Sequence, residues 1–248
     1  MNSIQIHGRN PRTYKALVAL AGVVLLMTTG CATSGRRVLL KEYGPTVPVS
    51  DASPLKGVTV AIGNFTEAFN IDDKLSDKQP VEPPGYEYQK MSKADEDTWN
   101  QDVKKRKKGG SEKSWKEIGY VRNGFGMVMS KVYALNPSGE WLGETLRRDV
   151  AAKGATVVGS PTDGAPQVSV SGSIKFFKID IYMKYWADLI VDVTITVPGK
   201  PPIERTIHTT AGQTAWSSSS FEYYQSIRQC QQKLSRALIA EIEGALRN

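Results

Sequence analysis

Between residues 168 and 213 apolar and polar side chains alternate almost without a break. Val168, Val170, Ile174 and Phe176 are interleaved with Ser169, Ser171, Ser173 and Lys175. A period of two puts one set on each face of a strand. After Phe176 the apolar set moves to Phe177, Ile179 and Ile181. A slip of one residue sends side chains to the opposite face, so a bulge is predicted near Phe176. A second strand carries Tyr185, Ala187, Leu189, Val191, Val193, Ile195 and Val197 on one face, and Asp188, Asp192, Thr194 and Thr196 on the other. Pro198-Gly199 marks a turn, and a third strand runs from Ile203 to about Gln213. One apolar and one polar face together argue for an antiparallel sheet.

Two stretches change the period to that of a helix. From about Pro137 to Lys153, Leu142, Leu146 and Val150 recur every fourth residue. Asn136 is a capping residue, Pro137 suits the first helical position, and Gly154 is a natural stop. The C-terminal stretch carries Phe221, Tyr224, Ile227, Leu234, Leu238, Ile242 and Ala245 on one side, with Gln231 interrupting. This second helix is expected to pack on the apolar side of the sheet beside the first. Val58, Val60 and Ile62 predict a short strand, as do Thr156-Val157-Val158. Ile118 to Met129 reads as a strand broken by Gly119, Gly124 and Gly126, where bulges or close backbone approaches are expected. No Gly-Lys-Ser/Thr follows these glycines, so a phosphate loop is excluded.

Two regions show neither period. Residues 32–56 contain Pro45, Pro48 and Pro54 and read as an extended tether, with Val38-Leu39-Leu40 as the one patch able to dock. Residues 66–116 are rich in both signs of charge and read as a long mobile insertion. They hold Lys104, Lys105, Arg106, Lys107 and Lys108, a candidate site for anionic lipid headgroups or glycan, although a run of like charge is more often simply solvated.

The N-terminus is the most informative stretch. Arg9, Arg12 and Lys15 precede an apolar run from Ala16 to Met27, and Thr28-Thr29-Gly30-Cys31 follows. A basic start, a short apolar middle and small residues at the cut form a secretory signal. The run is about a dozen residues, short of the roughly 20 that a spanning helix needs. Thr29-Gly30-Cys31 resembles the lipobox of bacterial lipoproteins, with Thr28 where the family usually has Leu. The resemblance implies cleavage before Cys31 and acylation of its thiol and new amine. Two or more acyl chains hold a protein stably on a membrane. Ala32, rather than Asp, implies the outer membrane by the same resemblance. A plain signal peptide and an uncleaved spanning helix are the alternatives.

Cleavage removes three cations and no acid, lowering the formal charge from +7 to +4. That mild excess does not call for nucleic acid. The 218 remaining residues suit one domain. With Cys31 acylated, Cys230 has no partner in the chain and is expected to be buried in its helix. The remaining histidine, His208, is placed by alternation on the polar face of its strand. Asp188 and Asp192 lie about 13 Å apart along a strand, too far for a paired-carboxylate site. Asp180 is the carboxylate able to approach Asp188 across the hairpin, among Lys175, Lys178 and Lys184. A Cys230–His208 pair is the one nucleophilic arrangement on offer. No set of residues specifies catalysis, a metal or a cofactor.

Ile118-Gly119-Tyr120, Arg122-Asn123-Gly124-Phe125-Gly126-Met127, the helix from Trp141 to Gly154 and the elements after it resemble the YajG type of outer-membrane lipoprotein. The resemblance implies a lipid-anchored location and a compact α+β domain, and carries no catalytic residues. The expected organisation is a signal peptide over 1–30, a lipidated N-terminus and tether over 31–56, and one α+β domain over 57–248. Within it an antiparallel-rich sheet carries two helices on one face. The expected role is a non-enzymatic envelope component facing the periplasm, binding another envelope protein or itself and needing no cofactor. The alternatives are an anion-binding module acting through Lys104–Lys108, and an enzyme.

Overall fold

A computed structural model describes residues 35–248, apart from 50–52, 76, 109–115, 163–164, 215–218 and 248. The signal peptide and Cys31 lie outside the described residues. The elements are β1 (Arg36–Val38), β2 (Thr59–Ile62), β3 (Thr66–Glu67), α1 (Lys93–Lys108), β4 (Lys116–Arg122), β5 (Val128–Ala134), α2 (Ser138–Ala151), β6 (Thr156–Val158), β7 (Val168–Tyr182), β8 (Lys184–Thr196), β9 (Ile203–Thr214) and α3 (Ser220–Arg247).

β7 organises the sheet. Along one edge it pairs antiparallel with β8 for its whole length, and β8 pairs antiparallel with β9. Its other edge is shared in succession by β2, β3 and β4, each parallel to it. β6 extends the sheet from β2, and β5 and then β1 extend it from β4. The α+β class and the long antiparallel ladders are as the alternation implies. The parallel pairings make the sheet mixed. They join segments far apart in sequence, which no local period encodes.

The slip after Phe176 has its predicted form. Ile174 stands opposite Val191 and Phe176 opposite Ile190, so Lys175 is the extra residue of a bulge. Phe177, Ile179 and Ile181 thereby return to the core face. At Gly119 a Cβ would stand 1.9 Å from the Ile179 carbonyl oxygen, so only glycine lets β4 come this close to β7.

α2 and α3 cover one face of the sheet. Trp141 stacks on Phe177 with centroids 6.2 Å apart, and Leu142, Leu146 and Val150 are buried beside it. From α3, Tyr223 meets Tyr185 at 5.3 Å and Leu234, Leu238 and Ile242 are fully buried. Gln231 Nε2 reaches Asp149 Oδ2 at 3.3 Å and ties the helices together. Gly154 stops α2 with a φ of +85°, as expected. Asn136 does not cap it. Its side chain instead binds the backbone N–H and carbonyl of Leu40.

The described part of the expected tether is not free. β1 is the edge strand of the sheet, and Leu39, Leu40, Val47 and Leu55 are buried in the common core. Residues 35–248 are one compact unit, so the domain begins at Gly35 rather than near 57. The insertion over 66–116 is likewise attached. Phe69 packs edge-on against Phe177 at 5.9 Å, and α1 buries Trp99 and Val103. Two anchors on one side of a 16-residue helix leave most of it polar, which is why no apolar period is visible.

Candidate functional site

The N-terminal segment is held by a buried polar cluster. Arg228 Nε, from α3, donates to Glu42 Oε2 at 2.8 Å, and the Tyr224 hydroxyl donates to Glu42 Oε1 and to the Lys41 carbonyl. A guanidinium nitrogen of Arg228 also donates to the Gln89 carbonyl, which draws the irregular part of the insertion into the cluster. Trp99 stacks on Tyr224 at 5.5 Å while its indole N–H donates to the Leu39 carbonyl at 2.9 Å. Burial pushes the Glu42 carboxyl above the usual range, and Arg228 offsets part of that. A charged pair taken out of water holds only if each member is fully hydrogen-bonded. A second buried carboxylate, Asp149, accepts from the backbone N–H and the hydroxyl of Thr46 at 2.5 and 2.6 Å. Burial pushes its carboxyl above the usual range, and the hydrogen bonds to it offset part of that. These groups fasten residues 39–46 to both covering helices. The sequence carries a signal for them in Arg228, Gln231 and Gln232, polar residues on the buried side of an amphipathic helix.

The candidate catalytic residues are separated by the sheet. His208 is not at the surface. It is 3% exposed, because residues 78–82 cover this part of the outer face. Its Nδ1 donates to the Lys78 carbonyl at 2.7 Å and its Nε2 faces Asp188 Oδ1 at 3.2 Å. Both ring nitrogens are engaged, and neither is left for a substrate proton. Cys230 lies under the opposite face. The adjacent residue, Thr209, donates to the Cys230 carbonyl at 3.0 Å, and the Cys230 thiol donates to the Ala187 carbonyl. Successive residues of a strand point to opposite faces, so His208 and Cys230 cannot form a pair. Burial and the charge of Asp188 push the thiol well above its ordinary value, keeping it protonated and weakly nucleophilic. Asp188 stands opposite Lys178 in the hairpin, and Asp180 opposite Trp186. Asp180 is held by Arg122 at 2.9 Å, while Asp192 accepts from the Thr206 hydroxyl at 2.5 Å. Among the described residues no group of three His, Cys, Asp or Glu side chains is placed to hold a metal. None of their helices is long and apolar enough to cross a membrane.

The basic run forms the last turns of α1. Lys104, Lys105 and Arg106 are all exposed, and Arg106 also donates to the Leu135 carbonyl at 2.9 Å. The side chains of Lys107 and Lys108 lie outside those described. Cations at a helix C-terminus complement its dipole, which gives this run a local structural role as well.

One end of the sheet is apolar and exposed. β4 and β7 are parallel, so the turn after each emerges on the same side of the molecule. Phe125, 89% exposed, tips the turn between β4 and β5, and Met183, 71% exposed, tips the one between β7 and β8. Both turns are fixed. The Asn123 side chain accepts from the N–H groups of Phe125 and Met127, and the Tyr182 hydroxyl donates to the Gly124 carbonyl at 3.1 Å, joining the tips. Met127, Met129 and Trp186 are also exposed at this end. No alternation marks these residues, because turns have no period.

No family model matches the chain, and no curated protein matches it. Its fold is similar to solved structures at low identity. One, titled as an uncharacterized protein, is 12% identical with a TM-score of 0.44, over 81% of this chain and 99% of its own. Another, protein XCC0632 from Xanthomonas campestris, described as DUF330, is 14% identical with a TM-score of 0.44, over 85% and 98%. A hypothetical protein, CT253 from Chlamydia trachomatis, is 12% identical with a TM-score of 0.27, over 76% and 96%. None of the three titles states an activity, and likenesses at this level assign none.

Proposed function

We propose that the protein is an envelope lipoprotein, acylated at Cys31 and facing the periplasm from the outer membrane. There it acts as a non-enzymatic structural or protein-interaction component of the YajG kind. The observation that carries this reading is the layout of residues 9–31, which ends in Thr29-Gly30-Cys31, and the position of β1 adds a short connection to it. Only four residue steps separate Cys31 from Gly35, where the compact unit begins. An acylated Cys31 would therefore hold the body directly at the membrane, with no long spacer. Intact-mass analysis of detergent-extracted protein tests the anchor. A chain starting at Cys31 with added acyl mass, lost in Cys31→Ser, supports it. An unmodified chain overturns it. The interaction role is tested by crosslinking in intact cells, where recovery of monomer alone under several growth conditions would count against it.

A second reading is binding of anionic glycan or lipid headgroups, favoured by the exposure of Lys104 and Lys105. Replacing Lys104 to Lys108 with Gln is then expected to abolish sedimentation with peptidoglycan or with anionic vesicles. If the unaltered protein does not sediment, this reading falls.

A further inference from the structure

We infer that the end of the sheet bearing Phe125 and Met183 seats on the lipid bilayer surface, beside the acyl anchor. This rests on acylation of Cys31 and adds an orientation to it. β1 runs parallel to β5, with Arg36 opposite Val132, and β5 starts at Val128 directly after the Phe125 turn. Followed backwards from Arg36, the chain therefore heads toward the apolar end. From Val132 to Val128 is about 13 Å of strand at ~3.3 Å per residue. The four steps from Gly35 to Cys31 reach at most about 14 Å. The four-residue link is thus long enough to let acyl chains on Cys31 bring this end to the membrane.

The side chains suit that surface. Phe125, Met127, Met129, Tyr182, Met183 and Trp186 are large, apolar or amphipathic, and exposed. Trp and Tyr favour the headgroup level, and apolar side chains gain by entering the acyl boundary. Lys184 is exposed next to Met183, where a lipid phosphate would lie. The turns need no ordering to dock. Arg122, paired with Asp180, also donates to the Gly126 carbonyl at 3.1 Å, and Asn123 fixes the rest. Rigid tips lose little conformational entropy on contact. Two projecting points beside an anchor also fit a soft surface better than a flat protein face.

The test places a nitroxide on the acylated full chain in phosphatidylethanolamine–phosphatidylglycerol vesicles. Labels go at Phe125→Cys, at Met183→Cys and, as a control near the far end of β8, at Thr196→Cys. Cys230 is buried and does not compete. Accessibility to oxygen against a polar nickel complex reads depth. The expected result is that the first two labels sit in the acyl boundary and the third in water. Phe125→Ser should return the Met183 label toward water, lowering its oxygen-to-nickel ratio several-fold. All three labels in water, on a chain whose mass proves acylation, would overturn the inference and leave the anchor standing. A chain without acyl mass would overturn both. Labels that lose solvent access at high protein concentration without vesicles would make this end a contact between copies, which also overturns it.

Discussion

The cluster around Glu42 and the turns around Phe125 and Met183 invert the usual sorting of residues. In the first, a carboxylate, a guanidinium and a tyrosine hydroxyl are buried. In the second, a phenylalanine and methionines stand in water. The buried polar groups persist because they partner one another across three distant segments. The exposed apolar groups persist because their turns are fixed by local polar bonds rather than by packing. The polar site therefore fastens distant segments together, and the apolar site is free to meet something else.

Removing one partner from the buried pair should break this contrast most visibly. Arg228→Met leaves Glu42 buried without its cation and is expected to destabilise by about 3–5 kcal/mol, measured as a shift in the urea midpoint. Gly119→Val comes next. Its Cβ would collide with backbone, so β4 must move off β7 at a cost of about 1–3 kcal/mol or more. The same change should loosen the Tyr182–Gly124 bond between the two tips, visible as faster hydrogen exchange there.

Acid tests the second buried carboxylate. Because the folded chain holds the Asp149 proton more tightly than the unfolded one, its contribution is full below the ordinary carboxylate range. It is lost as pH rises through the raised folded value. Asp149→Asn should flatten that part of the stability–pH curve, read from urea midpoints across the acid range. The smallest effect is expected at the apolar end. Phe125→Ser should change stability by less than about 0.5 kcal/mol. A larger loss would show that Phe125 packs rather than projects.

Much of the fold was legible where the pattern is local. The alternation along 168–197 located β7, β8 and the Lys175 bulge within one residue, because a buried face fixes register. The recurrence of Leu142, Leu146 and Val150 at every fourth position located α2, and Gly154 its end. The candidate site was less legible. His208 falls on a polar face by parity, yet residues 78–82, read as part of a mobile insertion, close over it. β1 sits in a proline-rich stretch with three strand residues, too few to show a period. α1 buries only Trp99 and Val103.

The order of side chains alone places the long antiparallel ladder of β7, β8 and β9 and the helices α2 and α3. Each depends on residues close together in the chain. The tertiary structure was needed to bury Leu39, Leu40 and Val47 in the core and to set Arg228 against Glu42. It alone separated His208 from Cys230 by the sheet, and brought Phe125 and Met183 to one end. The first and last of those outcomes follow from the parallel pairings of β1 with β5 and of β4 with β7. Such pairings join segments through hydrogen bonds between backbones, which are the same for nearly every residue and so leave little mark on the order of side chains.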